Sequence, residues 1–285
     1  MKVLILGGTG QLGTCLQAVL SQAGIAFEAP SRRELNLETE LEFTTLVAAV
    51  KPSIVVNAAA YTAVDKAEHE PELAYMLNAT MPEKLAIACQ QADLPLIHIS
   101  TDYVFNGKTN KPYFESDLTE PVSVYGKSKL AGELAVLEHC EQAIIIRTSW
   151  LYSEYGNNFL KTMIRLSKER SQLNVVADQI GTPTYAGDLA LAILKIIQHS
   201  QHAKLHKDIY HFANLGVASW YDFAWHIFKQ TASKIELNAI TTEQYPTPAT
   251  RPAYSILNSQ KISNHYGVVN RHWLDALTAM MPDLP

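Results

Sequence analysis

The sequence predicts an α/β fold in which a parallel β-sheet is covered by helices on both faces and is followed by a smaller, mainly helical lobe. Short apolar runs, "KVLILG", "SIVVNAAA", "LPLIHIS" and "AIIIRTSWLY", alternate with longer segments of helical period. Continuous apolar strands of this kind are typical of parallel sheets, because both faces of such a sheet are buried. After about Trp150 the alternation weakens, and amphipathic segments such as "NNFLKTMIRLSKER" and "SWYDFAWHIFKQ" predominate.

Length and charge limit the organisation and the partners. We place the first domain at residues 1–150 and the smaller, substrate-binding lobe at residues 151–285, with some segments of the lobe returning to the sheet. The chain has 285 residues, 47% of them hydrophobic, which suffices for one large core or two joined cores. The formal net charge of -5 provides no broad basic field. We therefore expect neither a nucleic acid nor a membrane as a partner.

The beginning of the chain and its cysteines indicate the cellular compartment. In "MKVLILGGTGQLG" the apolar run is too short for a signal peptide or a membrane span, and it stops at a glycine-rich turn, so a buried first strand is expected. The cysteines Cys15, Cys89 and Cys140 are far apart and lack any C-x-x-C spacing. Such cysteines are expected to be reduced thiols, which predicts a cytoplasmic protein.

A glycine motif, "GGTGQLG", lies directly between the predicted first strand and first helix. Gly7, Gly10 and Gly13 fit a G-x-x-G-x-x-G spacing, and Gly8, Gly10 and Gly13 also fit G-x-G-x-x-G. Glycines at these positions allow a tight turn and let the amides of the helix approach a pyrophosphate. In this strand–turn–helix context the motif predicts a dinucleotide site in a Rossmann-type doubly wound sheet.

The end of the predicted second strand, "FEAPSRREL", bears on the choice of dinucleotide. Arg32 and Arg33 are suited to bind the 2'-phosphate of NADPH, since guanidinium groups pair well with phosphate. Glu28, however, lies near the offset at which NAD-binding proteins have a carboxylate for the ribose, and an arginine pair in a loop is commonly just solvated. The residues therefore favour NADPH and leave NADH as the alternative.

The stretch "SVYGKSKLAGE" places Tyr125 four residues before Lys129 at the start of a predicted helix. Residues at i and i+4 share one face of a helix, so we expect the Lys129 ammonium to lower the pKa of the Tyr125 phenol from about 10 and to prepare it for proton transfer. The strand end "HISTDYVF" should bring the Thr101 hydroxyl to the carboxyl edge of the sheet, where ligands bind in such folds. An ordinary tyrosine–lysine pair on a helix surface is the alternative.

Taken together, "GGTGQLG", "NAAAYTAVD", "STDYVF" and "YGKSKLAGE" resemble the extended short-chain dehydrogenase/reductase superfamily. The resemblance continues through "RTSWLY", "NNFLKTM", "SWYDFAWHIF" and "ATRPAYSILN", so it covers nearly the whole chain. Within the superfamily the chain is similar to the enzymes that reduce the 4-keto group of dTDP-4-dehydro-L-rhamnose with NADPH to give dTDP-L-rhamnose. This resemblance implies a nucleotide-sugar substrate and a role in cell-surface polysaccharide biosynthesis.

The resemblance also implies roles for individual residues. It makes Tyr125 the proton donor, Lys129 the anchor for the nicotinamide ribose, and Thr101 the partner of the substrate oxygen. The other positions that it assigns to the cofactor are Gly7, Gly10, Gln11, Leu12, Gly13, Arg32, Arg33, Asn36, Leu37, Ala60, Tyr61 and Thr62. The positions that it assigns to the substrate are Thr101, Asp102, Trp150 and Arg251, the last of these toward the diphosphate. A capping aspartate, a core tryptophan and a surface arginine are the alternatives for the last three.

Three positions depart from the pattern of this family. Asn36 stands where an aspartate near the adenine is common, and Asn258 replaces an aspartate in the carboxyl segment. Cys15 lies where some members have an acidic side chain that helps bind magnesium at a dimer interface, which weakens the case for magnesium and for a metal-linked homodimer.

The 10 histidines show no H-x-H or H-E-x-x-H spacing, and His98 within an apolar strand is typical of a packed core residue, so no metal site is predicted.

Two alternative functions stay open at this point. A reductase of another nucleotide-linked 4-keto-6-deoxy sugar would have the same Thr101, Tyr125 and Lys129. A non-catalytic relative, the regulatory subunit of methionine adenosyltransferase, resembles this fold and binds the dinucleotide as a partner protein. The presence of all three side chains argues for an enzyme.

Overall fold

The structure is a computed structural model that describes residues 1–39 and 42–284. Its strands are β1 (Lys2–Leu6), β2 (Ala26–Glu28), β3 (Ile54–Asn57), β4 (Leu96–Thr101), β5 (Ala143–Thr148), β6 (Leu151–Tyr152), β7 (Gln172–Val176), β8 (Ile180–Gly181), β9 (Thr184–Tyr185), β10 (Asp208–His211), β11 (Ala218–Ser219) and β12 (Glu236–Ile240). Its α-helices are α1 (Gln11–Gln22), α2 (Phe43–Val50), α3 (Val64–Ala67), α4 (Pro71–Tyr75), α5 (Met81–Gln91), α6 (Val124–His139), α7 (Phe159–Glu169), α8 (Ala186–His199), α9 (Trp220–Gln230), α10 (Gln260–Tyr266) and α11 (Trp273–Met280). The predicted α/β class with a parallel sheet is confirmed.

The central sheet has six strands in the order β10-β5-β4-β3-β1-β2, and every neighbouring pair is parallel. The chain passes from β1 to β2 on one side and then continues with β3 on the other side of β1. The strand order therefore reverses between β1 and β3, and open α/β sheets bind their ligands beside the carboxyl ends of the strands at such a point. The glycine turn after β1 and the segment after β3 both lie there.

Apolar side chains form a core on each face of this sheet. On one face, β1 and β3–β5 pack against α1 and α8, and on the other they pack against α2, α5 and α6. The strands that were predicted from apolar runs have both faces buried, which is why those runs lack polar alternation.

Part of the carboxyl-terminal half lies within the sheet layer. Strand β10 pairs with β5, and α8 packs along α1. The remainder has its own core, in which α7, α9 and α11 pack on the parallel β7–β12 pair. This third core is built from aromatic and aliphatic side chains such as Tyr152, Phe223 and Trp273.

The helical stretch between β3 and β4 is interrupted by one π-helical turn. Helix α4 is followed directly by the π-helical turn Met76–Thr80 and then by α5, although the stretch "PELAYMLNATMPEKLAIACQQA" is one of the segments of helical period between the apolar runs. A π-turn inserts one extra residue per turn and rotates the side chains that follow. Here it turns the Asn78 side chain into the protein, where the amide is completely buried.

Candidate active site at the carboxyl edge of the sheet

The glycine turn after β1 has the shape that a dinucleotide diphosphate requires. Gly7 has a φ of +79°, and a Cβ placed on Gly13 would lie 2.2 Å from the Gly7 carbonyl oxygen, so side chains at these positions would close the turn. Gly10 is the N-cap residue of α1 and has no side chain to cover the first helical amides. The helix therefore presents free N–H groups and the positive end of its dipole to an anion. These residues fit a bound dinucleotide.

The residues that follow Gly10 in this turn have two different environments. Leu12 is buried in the core between α1 and the sheet. The Gln11 carboxamide oxygen accepts hydrogen bonds from Asn158 Nδ2 at 2.8 Å and from Ser153 Oγ at 3.2 Å. Because Asn158 also caps α7, Gln11 joins the glycine turn to the start of the carboxyl-terminal core. Its backbone N–H, at the first position of α1, remains directed toward the expected phosphate site.

The residues predicted to bind the adenosine end are largely exposed. The Arg32 side chain is 73% exposed and pairs with Glu38 at 2.5 Å, and Arg33 is exposed beside it. Asn36 Oδ1 accepts a hydrogen bond from the Glu38 backbone, and Leu37 packs partly against the sheet core. Glu28, the residue that left NADH open, forms an ion pair with Lys2 at 2.8 Å.

The segment after β3, with Ala60, Tyr61 and Thr62, is held by Asn78. Asn78 Oδ1 accepts from the Tyr61 backbone N–H at 2.8 Å, and Asn78 Nδ2 donates to the Tyr61 carbonyl at 3.0 Å and to Ser128 Oγ at 3.0 Å. Ser128 immediately precedes Lys129 on α6, so Asn78 ties the predicted cofactor segment to the predicted catalytic helix. Sequence reasoning missed Asn78, although an amide within an apolar helical stretch is a signal of a buried hydrogen-bonding role.

Thr101 and Asp102 lie where β4 ends. The Thr101 hydroxyl donates to Asp102 Oδ1 at 2.9 Å and accepts from the Tyr103 backbone N–H at 3.2 Å. Asp102 is only 2% exposed, and burial raises its pKa to about 6, although hydrogen bonds from Ser255 and Thr101 oppose that rise. Asp102 Oδ2 is buried and finds no hydrogen-bond partner among the described residues.

Tyr125 lies at the second position of α6, which begins where Ser123 Oγ accepts from the Gly126 backbone N–H. Its phenol is buried beside Thr101, and the Tyr103 ring contacts it edge-on with ring centroids 5.5 Å apart. The expectation that the pKa of Tyr125 lies below its usual value is wrong for this structure. Burial raises the pKa of Tyr125 to about 12, because the loss of water disfavours the phenolate more than the hydrogen bond from Thr101 favours it.

Lys129 follows one helical turn later and is 1% exposed. Its ammonium donates to the Ile99 carbonyl oxygen of β4 at 2.6 Å. Burial lowers the pKa of Lys129 to about 8, and the Glu133 carboxylate on the next turn of α6 opposes that decrease. The structure thus brings Thr101, Tyr125 and Lys129 together at the carboxyl edge of the sheet, next to the residues that fit the dinucleotide.

Trp150, two residues beyond β5, has a φ of +45°, a left-handed conformation that is unusual for a bulky residue. Its indole stacks on Trp220 with ring centroids 3.6 Å apart, and a Cβ on Gly181 would lie 2.4 Å from it. Arg251 binds Asp65 with two hydrogen bonds, of 2.7 and 3.0 Å. Both residues are partly buried, and Arg251 is therefore already engaged by a carboxylate near the predicted cofactor segment.

Among residues 1–39 and 42–284, no group of three or more His, Cys, Asp or Glu side chains is arranged to hold a metal ion. Over the same part of the chain, none of the helices has the length and apolar character needed to cross a bilayer. His98 is completely buried, with Nδ1 3.0 Å from Asn57 Nδ2, and burial together with Lys129 holds its pKa well below the usual value.

Comparisons with known proteins agree on one family. The sequence model of the RmlD substrate binding domain matches residues 1–284. The dTDP-4-dehydrorhamnose reductase of Escherichia coli (strain K12) is 42% identical over 293 aligned positions that cover 100% of this chain and 98% of that protein.

Two solved structures agree in shape as well as in sequence. The dTDP-4-dehydrorhamnose reductase of Clostridium acetobutylicum is 40% identical with a TM-score of 0.93, and the alignment covers 99% of both chains. That of Bacillus anthracis, solved in complex with NADP, is 39% identical with a TM-score of 0.92 and the same coverage. The chain therefore belongs to the RmlD substrate-binding-domain family, within the extended short-chain dehydrogenase/reductase fold.

Proposed function

We propose that this protein is an NADPH-dependent reductase that converts the 4-keto group of dTDP-4-dehydro-L-rhamnose into the hydroxyl group of dTDP-L-rhamnose. The observation that carries the proposal is the convergence of Thr101, Tyr125 and Lys129 beside a glycine turn that fits a dinucleotide. The names of the Escherichia coli and Clostridium acetobutylicum relatives support the reaction. The NADP bound to the Bacillus anthracis relative supports the cofactor.

Tyr125 is the general acid of the proposed reaction. NADPH, when bound, supplies the hydride for the 4-keto carbon. Since the pKa of Tyr125 is raised to about 12, the phenol holds its proton at neutral pH and is ready to donate it to the sugar's 4-oxygen as negative charge develops there. The Thr101 hydroxyl, beside the phenol, has a single hydrogen, which is donated to Asp102 Oδ1 here; when substrate is bound, that hydrogen turns to the same sugar oxygen and stabilises the charge.

Lys129 serves the cofactor and Tyr125 from the same position. An ammonium group has three hydrogens, and one of them is used for the Ile99 carbonyl. The other two are suited to the hydroxyl groups of the nicotinamide ribose. The positive charge one helical turn from Tyr125 also stabilises the phenolate that remains after proton transfer, which offsets part of the cost of burying that anion.

The remaining proposed contacts position the nucleotide sugar. Asp102 Oδ2, buried and without a partner in the described part of the chain, accepts a hydrogen bond from a sugar hydroxyl. Trp150 forms an apolar wall that is fixed by its stack on Trp220. Arg251 binds the diphosphate only if Asp65 shares its guanidinium group, because both of its terminal nitrogens already contact that carboxylate.

The proposed preference for NADPH over NADH is supported by the loop after β2. Arg32 and Arg33 are exposed there and free to move toward a 2'-phosphate. Arg32 would exchange one exposed carboxylate, that of Glu38, for a phosphate of higher charge.

The decisive experiment measures the decrease of NADPH absorbance with freshly generated dTDP-4-dehydro-L-rhamnose and with other nucleotide-linked 4-keto-6-deoxy sugars. The proposal expects the highest kcat/KM with the dTDP-rhamnose precursor. A higher kcat/KM with another sugar would reassign the substrate. Absence of turnover with every sugar, together with co-purification of a partner protein, would replace the enzyme by a regulatory subunit.

We also propose that the protein functions in the cytoplasm, in agreement with its buried free cysteines, Cys15, Cys89 and Cys140. Fractionation of the native cells tests this location. Sedimentation velocity with and without magnesium tests whether the protein forms a homodimer and whether a dimer depends on the metal, for which Cys15 weakens the case.

A further inference from the structure

A buried ion pair lies directly behind Lys129. Glu133 on α6 and Arg147 on β5 are joined by three contacts, Nη2–Oε2 at 2.7 Å, Nε–Oε1 at 2.9 Å and Nε–Oε2 at 3.2 Å. Their side chains are 1% and 3% exposed. Pairs of this kind often contribute little net stability, because both charges lose their hydration. The location of the pair therefore suggests a purpose other than stability.

Both members of the pair are connected to the surroundings of Lys129. Glu133 lies four residues after Lys129, on the same face of α6. Arg147 on β5 is the register partner of Ser100 on β4. Ser100 follows Ile99, whose carbonyl oxygen accepts a hydrogen bond from the Lys129 ammonium. Arg147 is held in turn by the Phe105 ring at 5.1 Å and by a contact with His211 Nε2 at 3.4 Å. The position of the carboxylate is thus fixed from the sheet side.

We propose that Glu133 is a positioning residue for the reduction: its carboxylate, held by Arg147, keeps the Lys129 ammonium charged and seated on the Ile99 carbonyl. This inference rests on the proposed function, in which Lys129 binds the cofactor ribose and stabilises the Tyr125 phenolate. Glu133 and Arg147 are almost completely buried and engage each other, so both act through Lys129.

Charged and titratable groups on several elements surround the buried Lys129 ammonium. Removal of water disfavours the cationic form of Lys129, and a carboxylate one turn away favours it. Near Lys129 the other elements contribute His98 from β4, Arg147 from β5, and Asp102 and Tyr103 from the turn after β4, while Tyr125 belongs to α6 itself. The charged residues of α3, α4 and α5 are Asp65, Lys66, Glu72, Glu83 and Lys84, none of which is buried.

Among these groups the balance favours Glu133 as the source of the stabilising charge. Burial and Lys129 itself hold His98 neutral, since its pKa is far below the usual value. The pKa of Asp102 is raised to about 6, so its carboxylate is ionised throughout the pH range of the test and contributes the same negative charge in the wild type and in the variants. The Arg147 guanidinium is held against the Glu133 carboxylate, and it is Glu133 that raises the pKa of Lys129, with no comparable effect from Arg147.

The test is the pH dependence of NADPH binding, measured by cofactor fluorescence between about pH 7 and pH 10 without any sugar. In the wild type, binding should weaken as pH rises through the pKa of Lys129. Glu133→Gln should move the midpoint of this decrease to lower pH by about one unit, because the ammonium loses its stabilising carboxylate. Glu138→Gln, the same change at an exposed position of α6, should leave the midpoint unchanged.

Arg147→Lys separates charge from packing. It loses the bidentate pairing and should lower the melting temperature, but it retains the positive charge and should leave the midpoint within a few tenths of a unit. If Arg147→Lys moves the midpoint as far as Glu133→Gln does, loosened packing explains the effect and the proposal fails. The proposal also fails if folded Glu133→Gln has the wild-type midpoint.

A double variant covers the case in which Glu133→Gln does not fold. Glu133→Gln combined with Arg147→Gln removes both charges of the buried pair together, and it should still move the midpoint downward, because the removed carboxylate is the group that raises the pKa of Lys129. A wild-type midpoint in the double variant overturns the inference. The titration needs no substrate, so a failure to turn over any sugar would refute the proposed function and leave this test intact.

Discussion

The two ends of the predicted cofactor site differ in their exposure to water. At the catalytic end, Tyr125 and Lys129 are buried, and their pKa values depart from the usual ones in opposite directions. At the adenosine end, Arg32 and Arg33 are exposed to solvent, and Arg32, with 73% of its side chain exposed, pairs with Glu38, whose side chain is 34% exposed. Lys129 and the two arginines therefore carry their charges in very different surroundings, the lysine shielded from water and the arginines exposed to it.

The difference indicates where large functional effects should arise. Charges interact strongly where water is absent, and water and salt screen them where it is present. Substitutions at the buried end should therefore change the chemistry by orders of magnitude. Substitutions at the exposed end should change only the relative affinity for two similar cofactors.

The largest effect is expected for Tyr125→Phe, which removes the proton and preserves the packing of the ring. Turnover should fall by about 10² to 10⁴, because general acid catalysis is lost, while NADPH binding stays nearly unchanged. Single-turnover hydride transfer and fluorescence titration measure the two quantities. Tyr75→Phe, at an exposed tyrosine of α4, is the control. Near-normal turnover of Tyr125→Phe would show that the buried end lacks the proposed acid.

Lys129→Ala should weaken NADPH binding, which Tyr125→Phe should leave nearly unchanged. The ammonium is proposed to serve both the ribose and the phenolate, so the variant should lose NADPH affinity as well as turnover, each by roughly tenfold or more. Lys127→Ala removes an exposed lysine two residues earlier on α6 and should change neither quantity. If Lys129→Ala retained its NADPH affinity and lost only turnover, the ribose contact would have to be abandoned.

Asp102→Asn tests how far burial at the end of β4 raises the pKa of Asp102. The pKa of Asp102 is raised from 3.8 to about 6 by burial, so the native state binds its proton more tightly than the unfolded state does. Wild-type stability should consequently fall as pH rises from about 4 to 6, by on the order of 1–3 kcal/mol, and the asparagine variant should lack this loss. Urea unfolding of both proteins at about pH 5 and pH 7 measures the difference. Parallel pH curves would contradict the raised pKa, and Asp275→Asn on the exposed side of α11 is the control.

The smallest effect is expected at the exposed end. Replacement of Arg32 and Arg33 by alanine should raise the KM for NADPH by roughly tenfold and leave that for NADH nearly unchanged, because only NADPH has the 2'-phosphate. The effect should shrink at high salt, since the interaction is screened. Arg170→Ala, at another exposed arginine, should affect both cofactors equally. An equal increase for NADPH and NADH in the double variant would assign the preference to other residues.

Much of the fold could be predicted because its signals are local. The strands β1, β3, β4 and β5 were recognisable as uninterrupted apolar runs, and the glycine turn was recognisable from spacing alone. The π-turn with Asn78 could not be predicted, because the stretch has an unbroken helical period and the amide finds its partners Tyr61 and Ser128 at separations of 17 and 50 residues.

By itself, the sequence determined that Tyr125 and Lys129 share a helix face, that Thr101 ends a strand, and that a glycine turn precedes α1, since each of these follows from spacing along the chain. Only the tertiary structure decided the electrostatics of the site. It buried the phenol and so raised the pKa that the spacing alone had suggested would fall. It also joined Glu133 to Arg147 and Asp65 to Arg251, which are 14 and 186 residues apart. Burial and long-range pairing depend on how whole elements pack, and no local pattern contains that information.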